Sequence, residues 1–139
     1  MASDAMMYQI KVTLNGIRPP IWRRLLVPSS LSLKDLHDVL QVALGWTDSH
    51  LHQFVARGTL YGQPDPEFGM GRLNEKRVRL DEVLRIEKDA MTYEYDFGDG
   101  WEHKIILEKV LANAEDGVAP SCIAGARGCP PEDCGGVWG

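Results

Sequence analysis

Three cysteines stand near the end of the chain with the spacing Cys122-x6-Cys129-x4-Cys134. Thiolates are soft ligands that zinc takes at tetrahedral corners, and short loops present them well. The segment around them is rich in Gly and Pro and cannot bury an apolar face of its own, so a metal would organise it. The one cofactor the residues suggest is a structural zinc, which Cys122, Cys129 and Cys134 would hold with a fourth ligand from His103, His50 or His52; otherwise none is expected. The spacing contains no paired Cys-x2-Cys knuckle. The competing reading is three reduced thiols in an irregular loop.

His50-Leu51-His52 puts two imidazoles on the same side of an extended segment. Asp48 is near enough to add a carboxylate, and such a set suits a metal used for oxygen chemistry. Spacing fixes no third ligand, so the alternative makes both histidines polar-face residues beside Leu51 and Phe54. With His103, these residues define one rival function, a metal-dependent enzyme.

The run Asp96-Phe97-Gly98-Asp99-Gly100-Trp101-Glu102-His103 offers an acid and a base side by side. On an extended strand Glu102 and His103 point to opposite faces, which works against a proton relay. A kinase reading of Asp96-Phe97-Gly98 fails, because the chain has no Gly-rich phosphate loop and no His-Arg-Asp catalytic loop. A tight hairpin explains the run better: Gly100 supplies a left-handed position, Asp99 bonds local backbone, and the aromatics pack.

Arg18, Arg23, Arg24, Arg72, Lys76, Arg77, Arg79 and Arg85 could form a basic patch with Trp22 or Trp46 as stacking platforms, the equipment of a nucleic-acid-binding accessory protein. Glu75, Asp81, Glu82 and Glu87 interrupt the second group of these cations, and a solvated face of mixed charge is the competing reading. The net charge is −5. The acidity is concentrated beyond residue 90, so the first ninety residues are nearly neutral. A phosphate backbone wants a basic face, and the whole chain does not offer one.

The framework that must hold these residues is legible in part. Tyr8, Ile10, Val12 and Leu14 alternate along one strand, and Ile21–Val27 reads as its hairpin partner across Asn15-Gly16 and Pro19-Pro20. Ser32 caps the principal helix, whose apolar face is Leu33, Leu36, Leu40, Ala43 and Leu44. Gly45 is the left-handed residue that ends it. Leu51–Arg57 reads as a third strand, Gly58 to about Asn74 as a long loop, and Leu80–Leu84 as a short helical turn. Met91–Phe97 and Trp101–Leu111 read as paired strands, with Trp101, His103, Ile105 and Leu107 on one face. Past Ala112 no regular structure is visible.

The fold class predicted is α+β: a mainly antiparallel sheet with one principal helix packed across it, in the order β-β-α-β-β-β, with a β-grasp-like topology as the alternative. The 139 residues are one domain's length. Residues 1–6 are start residues outside the fold, 7–116 the α+β core, and 117–139 an irregular Cys/Gly/Pro-rich segment of the same domain. A composition 44% hydrophobic and 25% charged excludes a disordered chain. No basic stretch followed by an apolar one opens the sequence, so a cytoplasmic location with no membrane partner is expected.

Four blocks together carry a family resemblance: Ile21-Trp22-Arg23-Arg24; Leu44-Gly45-Trp46; the run from Tyr95 to His103; and Cys129-Pro130-Pro131-Glu132-Asp133-Cys134-Gly135-Gly136. From Tyr8 onward the chain resembles the Ri-plasmid ORF-three-like family, also described as insertion-element passenger proteins. The resemblance implies an α+β fold and occurrence on mobile elements as well as chromosomes, and it brings no chemistry to carry over. It also implies a C-terminal shortening, since members run on past the Cys-Gly-Gly block into helical sequence.

The leading expectation is a non-catalytic, mobile-element-associated interaction module with an unidentified protein or nucleic-acid partner. Its surface is drawn from Trp22, Arg23, Arg24, His50, His52, Asp96, Asp99 and Trp101, and from the Gly58–Asn74 loop. Val137 and Trp138 either fold back on the sheet or meet a second chain, the latter giving a homodimer.

Overall fold

Alternation of apolar side chains makes the first two strands, β1 (Met7–Leu14) and β2 (Ile21–Pro28), which pair antiparallel from Met7↔Pro28 to Leu14↔Ile21. The structure, a computed structural model, describes residues 6–16, 21–46, 52–63, 72–95, 101–112 and 120–126. The expected Gly98–Gly100 turn and the Val137-Trp138 segment lie outside them.

The principal helix α1 (Leu33–Leu44) begins where the Ser32 hydroxyl accepts the Asp35 N–H at 3.0 Å. It ends at Gly45, whose φ of 77° no β-carbon favours. The Trp46 N–H then folds back onto the Gln41 carbonyl at 2.9 Å. Leu33, Leu36, Leu40 and Leu44 are buried against the sheet. Burial of each contributes about 1.5–3 kcal/mol.

Two strands occupy the segment expected to be a loop. After β3 (His52–Ala56), Arg57 and Gly58 both take positive φ, 49° and 78°, and turn the chain straight into β4 (Thr59–Gly62). A two-residue connection with both residues left-handed matches the twist of the strands it joins. β5 (Arg72–Asn74) then adds parallel to β4. A 3-10 turn (Glu75–Arg77) and a short helix α2 (Leu80–Val83) follow. The Tyr8 hydroxyl donates to the Leu84 carbonyl at 2.8 Å, tying the end of α2 to β1.

The last strands are β6 (Ala90–Tyr95), β7 (Trp101–Leu111) and β8 (Ser121–Ala126). β8 corrects the expectation that nothing regular lies past Ala112. Apart from Ile123 it is built from small residues, without apolar alternation, and is held by pairing with β2. The sheet order is β5-β4-β3-β6-β7-β1-β2-β8, antiparallel throughout except for β4–β5. This is the expected α+β class. The β-grasp alternative needs a parallel central pair, whereas β1 runs antiparallel to both neighbours. No helix among the described residues is long and apolar enough to cross a membrane.

Candidate functional site

Beneath α1 the elements bring six polar side chains together in the interior. His37 and Gln41 come from α1, His52 from β3, Glu75 from the 3-10 turn, Tyr93 from β6 and His103 from β7. Each is at most 4% exposed. The Tyr93 hydroxyl meets His37 Nδ1 at 2.7 Å and accepts from Gln41 Nε2 at 2.9 Å. His52 Nε2 and Glu75 Oε1 are 2.6 Å apart. His103 Nδ1 lies 3.1 Å from the Tyr93 carbonyl oxygen. A carbonyl only accepts, so Nδ1 carries the hydrogen and a neutral ring has its bare lone pair on Nε2. Burial lowers the His103 pKa to about 4, against the opposing pull of backbone hydrogen bonds at Tyr93 and Trp101. Among the described residues, His103 Nε2, Glu75 Oε2 and Trp101 Nε1 find no hydrogen-bond partner.

A histidine, a carboxylate and a phenol in contact are the parts of acid–base chemistry. Here they are closed in. Trp46 stacks on Tyr95 at 4.9 Å and meets the edge of His103 at 5.2 Å. Among the described residues, what this cluster does is tie α1 and the 3-10 turn to β3 and β6. Sequence reasoning missed His37, Gln41 and Glu75. The signal for the first two was present: polar residues at i and i+4 inside an apolar helix face.

Several expected surface and ligand residues lie elsewhere than foreseen. His52 is 4% exposed and Trp101 fully buried, so neither presents a binding surface. Both fall on strand faces that α1 covers. His103 cannot complete a zinc site with Cys122, because β1 and β2 lie between β7 and β8. That leaves three strand spacings, about 14 Å, between them. Cys122 is an exposed free thiol on β8, its Sγ donating to the Ala124 carbonyl at 3.4 Å. Among the described residues no group of three His, Cys, Asp or Glu could hold a metal ion. Asp48, His50, Asp96, Asp99, Cys129 and Cys134 lie outside the described residues.

The Trp22-Arg23-Arg24 block is divided between the two faces of the sheet. The Arg23 Nε–H donates to the Ala43 carbonyl at 3.1 Å, on the side of α1. Trp22 and Arg24 are half-buried on the opposite side. Lys11 Nζ and Arg24 Cζ sit 4.9 and 5.0 Å from the Trp22 ring centroid, within cation–π range. Arg24 is also held by both Glu108 oxygens, at 2.7 and 3.1 Å. The Arg24 hydrogen bond, joined by one from Gln9, keeps the Glu108 carboxyl below its ordinary pKa.

A groove of about 360 Å³ opens between the outer flank of α1 and β8, lined by Leu25, Val39, Val42, Ala43 and Cys122 among others. Val42 is 83% exposed. Asp38, the charged residue on the groove's rim, is bonded to Lys34 at 2.7 Å.

Residues 6–139 match a family model described as plasmid pRiA4b ORF-3-like protein. The uncharacterized protein y4hQ of Sinorhizobium fredii is 43% identical over 136 residues, covering 97% of this chain and 70% of that one. The crystal structure of a protein of unknown function, MM3350, from Methanosarcina mazei Go1 superposes with a TM-score of 0.86 at 36% identity. It covers 96% of this chain and 76% of that one.

Proposed function

The chain belongs to the plasmid pRiA4b ORF-3-like family, and from that premise we propose that it works as a non-catalytic interaction module. On this reading it takes an apolar segment of a protein partner into the groove between α1 and β8. The observation that carries the reading is Val42, 83% exposed on the outer flank of a helix whose inner face is buried. It stands over a groove whose other lining is mostly apolar. Apolar surface gathered into a concave patch gains by being covered, which scattered surface valines do not. The interior favours the same reading. His52 and His103, two of the three histidines a catalytic alternative would draw on, are buried in the core.

The test is selection of a random dodecapeptide library on the immobilised protein, followed by titration of the enriched peptides against Val42→Asp and Val39→Asp. The expected peptides carry apolar side chains and weaken by about tenfold or more on either variant. Enriched peptides that bind the variants as well as the parent, or no enrichment on a protein that is monomeric, would sink the reading.

A further inference from the structure

We infer that the partner at this groove is a second copy of the same chain, joined strand to strand through β8 about a two-fold axis. The inference rests on the groove's being an interaction surface. β8 is an edge of the sheet: it pairs with β2 on one side and with nothing on the other among the described residues. An edge strand offers a row of unpaired backbone donors and acceptors, and proteins usually blunt it with charge or proline. The strand Ser-Cys-Ile-Ala-Gly-Ala has neither.

A two-fold pairing sets residue i of one strand against residue j of its copy and j against i, so the net charge of the strand meets the same net charge. An uncharged strand escapes that repulsion. The groove rim is neutral for the same purpose, since Asp38 is already matched by Lys34. The register of β8 against β2 shifts between Arg24 and Leu25, which leaves Ile123 without a partner of its own and 47% exposed. Pairing two β8 strands brings the two copies of Ile123 to the junction and sets the two grooves, each with its exposed Val42, on either side of it. The opposite edge is a poorer site. β5 has three residues against six in β8.

Sedimentation velocity over a range of concentrations, with the 139-residue chain, decides the matter. The expected result is a species of twice the 15.5 kDa chain mass. Ile123→Lys and Val42→Asp should each weaken the dimer by about tenfold or more with unchanged far-UV circular dichroism. Leu73→Lys, on the far edge, should leave it intact. A parent chain that is monomeric at every concentration overturns the inference. So does a dimer that neither β8-side variant disturbs. A monomer that still binds selected peptides in a Val42-dependent way removes the second copy as partner and keeps the interaction module. A monomer that binds none removes both.

Discussion

The rings of His37 and His52 lie face to face, their centroids 3.5 Å apart and their planes 7° from parallel. One ring comes from α1 and the other from β3. Each is fixed by a different anchor, His37 by the Tyr93 hydroxyl and His52 by Glu75. The stack therefore joins two hydrogen-bonded arms that reach the helix, two strands and the 3-10 turn. Strength in this cluster is a matter of stability, and it can be measured arm by arm.

Tyr93→Phe removes the hydroxyl that meets both His37 and Gln41 while keeping the ring. Loss of hydrogen bonds at a buried position costs about 1–3 kcal/mol. Urea unfolding at neutral pH should show that loss, with the slope of the transition unchanged. A variant within 0.5 kcal/mol of the parent, about the ordinary scatter for surface substitutions, would mean that the hydroxyl holds nothing together.

The second arm is best read as a coupling. His52→Gln and Glu75→Gln, singly and together, form a double-mutant cycle. Residues sharing a buried contact give interaction energies of about 0.5–3 kcal/mol. The His52–Glu75 coupling should sit in the upper part of that range because both partners are buried. Additive losses would show that the 2.6 Å contact is worth no more than its separate parts.

His103 makes stability depend on acid. Its folded pKa of about 4 lies below the ordinary 6.5. Between those values the unfolded chain binds a proton that the folded chain refuses. Stability from this group is therefore complete above about pH 6.5 and falls as the pH drops towards 4, by about 1.4 kcal/mol per unit. Replacing His103 by Gln removes the dependence. The parent's loss between pH 7 and pH 4.5 should exceed the variant's. Parallel stability curves would contradict it.

Gly125 and Gly45 should separate two kinds of glycine. A β-carbon on Gly125 would come within 2.9 Å of the Trp22 carbonyl oxygen and of Arg23 Cδ. Gly125→Ala must then push β8 away from β2, at about 1–3 kcal/mol. At Gly45 nothing among the described residues lies within 4 Å, and the cost is that of φ +77°, about 1 kcal/mol. Hydrogen exchange distinguishes them. Gly125→Ala should speed exchange in β2 and β8, and Gly45→Ala only at the end of α1.

What could be read from the sequence was local. Ser32 and Gly45 announced both ends of α1, and the alternation from Tyr8 to Leu14 announced β1. Arg57-Gly58 is a hairpin signal, but the segment after it shows no clean alternation and becomes a half-exposed strand, so it reads as loop. β5 and β8 gave no such signal. Three and six residues long, they become strands only by lying beside β4 and β2. The same limit governs the site. His52 could be picked out as a chemical residue, but its partner Glu75 is 23 residues away, and nothing near either one pairs them.

The position of β1 sets an order on the chain's synthesis. It is an inner strand, flanked by β2, which follows directly, and by β7, with Ile10 opposite Leu107. At roughly 5–20 residues per second a ribosome needs on the order of 5–20 s to deliver the second neighbour after the first strand. During that interval the β1–β2 hairpin carries an open edge on a row of apolar side chains. The nascent protein is thus exposed to mispairing at its N-terminal end, and it is the arrival of the segment from Trp101 to Leu111 that ends the exposure.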